Sequence, residues 1–361
     1  MPESQRTYLD EQKIKVILTR MHRAGIPKKL IASTYRFLIQ TSPHELVLFN
    51  PYRLTSVLGC SRKEMLDLLV LGLFEGLFEM QWDISCPHCN GIAKQHPLIR
   101  NITPQVYCPT CKIDFETHAD HNIRVSVSVH PQLVRGEPLK AQSPKSADED
   151  QPFLTALELI SLPTFRHYFS DQVPALDQSI KIRSVTVMFT DLIQSTRLYS
   201  NIGDLNAFVL VKEHFSILFD EIIENSGGVI KTIGDAVMAV FKEGEPAIRV
   251  AFAIKKEINN LLKKYDLPEG SGIKIGLARG TSLVVNLNNR ADLFGTTVNM
   301  AARVVSVSNP DAVAVTEDVF TDLQIRNYIR ARRLNVKKKQ HVFKGIPGLQ
   351  NVYLLYPQVS L

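Results

Sequence analysis

The chain of 361 residues is 45% apolar and 22% charged, which excludes wholesale disorder and leaves room for two or three domains, each with its own core. Forty-two Lys and Arg against 36 Asp and Glu leave a formal charge of +6, a mild basic bias that fits an anionic ligand but excludes no partner alone. The most apolar stretch, Met65 to Phe78, carries Asp67 and Glu75 and is about a third too short to cross a bilayer. The polar start Met1-Pro2-Glu3-Ser4-Gln5 has no apolar signal core, so a cytoplasmic protein with no membrane segment is expected.

Residues 1–80 are expected to form a helical regulatory region. Ser61-Arg62-Lys63-Glu64 spells a capping box, and Met65, Leu68, Leu69, Gly72 and Leu73 follow at helical spacing. With a short helix and turn over Leu54–Gly59, this gives helix, turn, helix, as in a winged-helix fold.

Residues 81–135 hold Cys86-Pro87-His88-Cys89 and Cys108-Pro109-Thr110-Cys111, eighteen residues apart, and an alternating strand over Ile123–Val129. Two such pairs in a reducing compartment point to a zinc ribbon, with Cys86, Cys89, Cys108 and Cys111 as four thiolates around one structural Zn²⁺. A redox dithiol is the alternative, and His88, His118 and His121 are substitute ligands. Cys60 stands alone and is expected to be buried. Residues 136–181 are a polar, proline-bearing linker and a short helical segment.

From residue 182 strands and helices alternate as β-α-β-β-α-β, an α+β fold of ferredoxin-like type. Ile182 to Asp191 is a buried strand. Asp204 to Asn225 is an amphipathic helix, capped by Asp204, with Leu205, Phe208, Val211, Phe215, Leu218, Phe219 and Ile222 on one face. Two strands then meet in a hairpin at Gly234-Asp235.

Asp191 and Asp235, 44 positions apart, thus fall at the top of the first strand and at the neighbouring hairpin turn. Two carboxylates brought together repel unless cations neutralise them, which Mg²⁺ or Mn²⁺ does while keeping positions for phosphate oxygens. Either aspartate alone reads as a turn residue. Lys231 lies in an apolar strand, where an ammonium needs an acceptor. Asn299 and Arg303 share one helix face, and a guanidinium there suits charge developing on a phosphoryl group.

Phe189-Thr190-Asp191, Lys231-Thr232-Ile233-Gly234-Asp235 and Phe294-Gly295-x-x-Val298-Asn299-x-x-x-Arg303 resemble, in order, three motif blocks of the class III nucleotidyl cyclases, over roughly residues 182–357. The resemblance implies a soluble adenylyl cyclase that converts ATP to 3′,5′-cyclic AMP and pyrophosphate at a homodimer interface. It gives Asp191 and Asp235 two Mg²⁺ or Mn²⁺ ions per site, Lys231 and Asp292 the adenine, Asn299 the ribose, and Arg303 the transition state. It also gives Lys344, in Phe343-Lys344-Gly345, the terminal phosphates. Guanylyl cyclases of the family typically carry Glu and Cys where Lys231 and Asp292 stand. The stretch Leu277–Ala291 lacks the usual second glycine-rich turn, which implies a shorter dimerisation arm. The Gly-Gly-(Asp/Glu)-Glu-Phe turn of diguanylate cyclases is absent.

Gly76 to Cys86 is similar to an uncharacterised region found ahead of some bacterial cyclase domains, which implies a regulatory module fused to an enzyme. The competing function is a nucleic-acid-binding zinc-ribbon and winged-helix regulator with a silent cyclase-like dimerisation domain. Arg62 and Lys63 at the helix start favour it; the eleven Lys and Arg and eight Asp and Glu of residues 1–80, with no concentrated basic face, make nucleic acid the less favoured partner.

Overall fold

Asp10 starts the first helix, its carboxylate accepting from the Lys13 N–H at 3.3 Å. This helix, α1 (Glu11–Arg23), buries Ile14, Ile17, Leu18 and Met21 at helical spacing and is followed by α2 (Lys28–Gln40). The computed structural model describes residues 8–137, 152–193, 195, 203–265 and 270–358. Of the linker region expected at 136–181, residues 138–151 lie outside the described residues. Contacts divide the chain into two units. One comprises Met1–Ile160, Thr164–Ile180 and Asn286–Ala291; the other comprises Ser161–Pro163, Lys181–Val285 and Asp292–Leu361.

In the N-terminal unit α3 (Arg53–Leu58) ends at Gly59, whose φ of +61° supplies the left-handed turn. α4 (Arg62–Phe74) opens on the capping box: Ser61 Oγ accepts from the Glu64 N–H at 3.2 Å, and the Ser61 N–H donates to Glu64 Oε2 at 2.9 Å. β1 (Phe78–Ser85) then pairs antiparallel with β2 (Ile92–His96) on one side and β5 (Ile123–Val129) on the other. β1 crosses position 80/81, so the helical region and the cysteine module share one sheet. Phe49 bridges Val127 of β5 through two backbone hydrogen bonds of 2.8 and 3.0 Å. In chain order the unit runs helices, extended Phe49, helix, turn, helix, and then the strands of the sheet β2-β1-β5. The cysteine pairs sit in the connection between β1 and β5, together with the hairpin of β3 (Gln105–Cys108) and β4 (Ile113–Glu116).

Two short helices, α5 (Ala156–Ile160) and α6 (Pro163–Tyr168), precede the second unit. There β6 (Ile180–Leu192), α7 (Asp204–Glu224), β7 (Gly227–Ile233), β8 (Ala236–Phe241), α8 (Gly244–Lys264) and β9 (Ile273–Leu287) follow in order. Their strands lie β9-β6-β8-β7, the ferredoxin-like order expected. The sheet continues outward through β11 (Val313–Thr316), β13 (Gln350–Tyr356) and β12 (Asn335–His341), with β10 (Arg290–Phe294) paired to β9. α9 (Thr296–Val304), α10 (Glu317–Thr321) and α11 (Leu323–Ala331) complete it.

Two expectations for this unit are corrected. Gly203, not Asp204, takes the N-cap position of α7. The buried stripe of α7 runs Ala207, Leu210, His214, Leu218, Ile222, while Leu205 and Phe208 are exposed. Apolar residues occupy both this stripe and the one beside it, so spacing could not choose between them. Among the described residues no helix is long and apolar enough to cross a membrane.

Candidate functional site

β6 carries Thr190, Asp191 and Leu192 to its end, and the β7–β8 hairpin brings its turn beside them. Gly234 has φ +62° and lets the chain reverse in two residues, which leaves Asp235 at the tip. Bonds between backbone N–H groups and side-chain oxygens lock the turn to β6. The Leu192 N–H donates to Asp235 Oδ2 at 3.2 Å, and the Val237 N–H donates to the buried Thr190 Oγ1 at 2.9 Å. Asp191 and Asp235 are both half-buried. Burial raises the Asp191 carboxyl above its usual range, the neighbouring Asp235 carboxylate adds to this, and Lys274 opposes it. Lys274 Nζ stands 4.0 Å from Asp191 Oδ2. A raised carboxyl beside a second carboxylate is the electrostatic state that a divalent cation relieves.

Lys231, on β7, and Asp292, on β10, meet in an ion pair of 2.5 Å. The lysine side chain is 39% exposed and the carboxylate 13%. Asp292 Oδ1 also accepts from the Leu293 N–H at 2.8 Å, so its orientation is set by its own backbone. Asn299 and Arg303 lie one turn apart on α9 and are both exposed. Gly295 precedes that helix at φ +146°, a conformation closed to side-chain-bearing residues. Lys344 is exposed in the connection between β12 and β13. The chain thus assembles three separate groups: Asp191 with Asp235, Lys231 with Asp292, and Asn299 with Arg303. Among the described residues no hydrogen bond or ion pair joins one group to another.

Residues 178–356 match the adenylate and guanylate cyclase catalytic domain family. The chain carries a class III cyclase catalytic domain. Residues 12–149 match a family of unknown function, DUF5939. An adenylate cyclase of Streptomyces coelicolor is 29% identical over 150 residues, covering 42% of this chain and 36% of that protein. The receptor-type guanylate cyclase gcy-23 of Caenorhabditis elegans is 32% identical over 154 residues, covering 40% of this chain and 14% of that one. The chain therefore spans 36% or less of the length of these two curated relatives. Among solved structures, the adenylyl cyclase CyaB of P. aeruginosa is similar with a TM-score of 0.44 and 20% identity, covering 50% of this chain and 97% of that one.

Two further side chains lie beside the aspartates, Lys274 against Asp191 and His214 against Asp235. Lys274 had a usable signal, a cation inside the apolar run Ile273-Lys274-Ile275, the same signal that singled out Lys231. His214, whose Nε2 lies 3.1 Å from the Asp235 carbonyl oxygen, had none, because a histidine on an apolar helix face reads as core.

Ahead of the cyclase domain, the four cysteine sulfurs lie within 4.8 Å of one another. Each pair closes the same turn. The Asn90 N–H donates to Cys86 O at 2.9 Å and the Lys112 N–H to Cys108 O at 2.8 Å, with Asn90 and Lys112 at φ +56° and +55°. The Cys111 N–H points at Cys108 Sγ, 3.4 Å away. Burial pushes the Cys86 thiol up, but the Cys89 and His88 amides together with hydrogen bonds from Cys108 and Cys89 hold it at about 7, while the hydrogen bond with Cys89 and burial push Cys111 up to about 12. Four converging sulfurs with amides aimed at thiolates fit a tetrahedral Zn²⁺. His88 Nδ1 lies 3.5 Å from Cys111 Sγ, outside the set of four.

Proposed function

We propose that two copies of this chain form an adenylyl cyclase, converting ATP to 3′,5′-cyclic AMP and pyrophosphate under control of the N-terminal region. The Lys231–Asp292 pair carries the choice of base. Along its Watson–Crick edge adenine offers an acceptor at N1 and a donor at N6, which lysine and aspartate complement. In the same register guanine sets O6 against the carboxylate and N1–H against the ammonium, so both contacts repel. The pair need not break on binding, since the ammonium has three hydrogens and the carboxylate has spare lone pairs.

The other groups follow. Asp191 and Asp235 would hold two Mg²⁺ or Mn²⁺ ions, which when bound acidify the ribose 3′-hydroxyl and neutralise the triphosphate. The 3′ oxygen bonds to the α-phosphorus, its proton leaves, and the bond to the β-phosphate oxygen breaks to release pyrophosphate. Asn299 orients the ribose, Arg303 stabilises charge on the transferring phosphoryl group, and Lys344 and Lys274 meet phosphate oxygens. A homodimer would complete the site, one chain supplying the aspartates and its partner Lys231, Asp292, Asn299 and Arg303. Cys86, Cys89, Cys108 and Cys111 would hold one structural Zn²⁺.

The nucleic-acid alternative loses support from the N-terminal unit. Arg62 is spent on Glu158, at 3.3 Å, and on the Tyr52 hydroxyl, at 3.2 Å. Lys63 pairs with Asp67 at 3.7 Å. Met65, Leu66 and Leu68 through Leu73 are all buried, so little of α4 is left to enter a groove.

Purified protein given ATP or GTP with Mn²⁺ or Mg²⁺ is expected to yield cyclic AMP from ATP, and Asp191→Ala to yield none. No cyclic product from either nucleotide, in a preparation shown to be dimeric, would overturn the proposal.

A further inference from the structure

α7 places one titratable side chain on its buried stripe. His214 is 1% exposed, between Leu210 and Leu218, which are fully buried. Its Nε2 lies 3.1 Å from the Asp235 carbonyl oxygen. A carbonyl can only accept, so Nε2 carries the proton and donates. Nδ1 is then the bare nitrogen, and it is buried with no partner among the described residues. A leucine would fill this place with no buried nitrogen, but it would take the donor from the Asp235 carbonyl. An imidazole buried for a single hydrogen bond is a net cost to the fold unless that bond has a use.

What the bond holds is the tip of the β7–β8 turn. Gly234, at φ +62°, and Asp235 are its two central residues. The Asp235 carboxylate is tied from one side by the Leu192 N–H and the strand after it by Thr190 Oγ1. Both of those come from β6, the strand that carries Asp191. The Ile233–Ala236 pair closes the hairpin below this turn. Beyond it, Asp235 is held by its side chain from β6 and by its main-chain carbonyl from His214 of α7.

We propose that His214 is a positioning residue for the metal site: its Nε2–H holds the Asp235 carbonyl so that the Asp235 carboxylate can share cations with Asp191. The role rests on the cyclase activity proposed above. It acts through Asp235 and involves no contact with nucleotide. Outer-shell partners of metal ligands typically matter by about 10- to 100-fold in metal affinity or activity.

The test uses the full chain, its ATP turnover and its Mn²⁺ binding, read from the rise of Tm with added Mn²⁺. His214→Leu keeps the volume and removes the donor, and is expected to raise half-saturating Mn²⁺ by about 10- to 100-fold and lower kcat. His214→Gln, whose amide nitrogen reaches the place of Nε2, is expected to recover both to within about threefold of wild type, with KM for ATP at saturating Mn²⁺ little changed in either. If His214→Leu does not fold, His214→Asn takes its place, since its amide is one methylene too short to reach. An unchanged Mn²⁺ requirement in the donor-free variant, or a His214→Gln protein no better than it, would overturn the role while the wild type stays active. A dimeric wild type that cyclises neither ATP nor GTP would overturn the cyclase proposal itself, and this role with it.

Discussion

Lys231 and Asp292, 61 positions apart, meet at 2.5 Å because a bulged strand and the short β10 bring them to one place. The register of β7 against β8 shifts between Val229 and Lys231, which re-aims the lysine relative to a regular strand. If this pair reads adenine, replacing its donor by an acceptor should reverse the preference. Lys231→Glu with Asp292→Cys is expected to lower the ratio of kcat/KM for ATP over GTP by about 10- to 100-fold. An unaltered ratio in an active double variant would show that the base is read elsewhere.

Asp191 sets a pH dependence whose sign follows from its shift. Burial and the Asp235 carboxylate raise its folded value. The folded chain then holds this proton more tightly than the unfolded chain, so stability falls as pH climbs from about 4 through the raised value, and stays lower above it. The side chain is 48% exposed, so the effect is small. Without added metal, Asp191→Asn is expected to raise Tm by roughly 1–3 °C at pH 7 and to leave it unchanged near pH 3. Mn²⁺ should stabilise the wild type and not the variant. A variant that melts below wild type at pH 7 would mean the carboxylate is stabilising, contrary to the shift.

The cysteine module gives a separate test by metal removal. Little apolar surface is buried around its two short hairpin strands: β4 buries only Phe115, and β3 only Val106 and Cys108. A bound ion would therefore supply most of its ordering free energy. After exhaustive dialysis, metal analysis should find about one Zn²⁺ per chain. Cys108→Ser is expected to lose it and to open residues 86–122 to proteolysis, with the cyclase unit resistant. A metal-free wild type with that segment equally protected would refute the zinc site.

Much of the cyclase domain could be read from residue order alone, because strand burial and turn chemistry are local. Asp191 ends an apolar run and Asp235 follows a glycine, and both fell where the pattern put them. Features set by long-range contact did not show. Two adjacent stripes of α7 are apolar, and only the sheet decides that His214, not Phe208, faces inward. The stretch from Leu277 to Ala291 has no second glycine-rich turn, yet it folds back as β9 and β10 through Asn288 and Asn289, at φ +53° and +58°. Asparagine tolerates the left-handed region well enough to make this two-residue hairpin turn, a substitution for glycine that motif spacing does not register.

The separation of the three groups within one chain leads to the last prediction. Asp191 and Asp235 have no hydrogen bond or ion pair to Lys231, Asp292, Asn299 or Arg303 among the described residues, and Asn299 and Arg303 are exposed. If each site takes its aspartates from one chain and its arginine from the other, damage in the two halves can be sorted into different sites. Asp191→Ala and Arg303→Ala should each be nearly inactive alone. Mixed in equal amounts and allowed to exchange, half of the dimers pair one variant with the other. Each such dimer carries both lesions in one site and none in its second. Random pairing then predicts recovery of about one quarter of wild-type activity, from two inactive proteins. The recovered fraction should follow the product of the two variants' mole fractions as their ratio is changed. A mixture no more active than its components, with subunit exchange demonstrated by a labelled chain, would place all six residues in a single subunit's site and end the shared-site proposal.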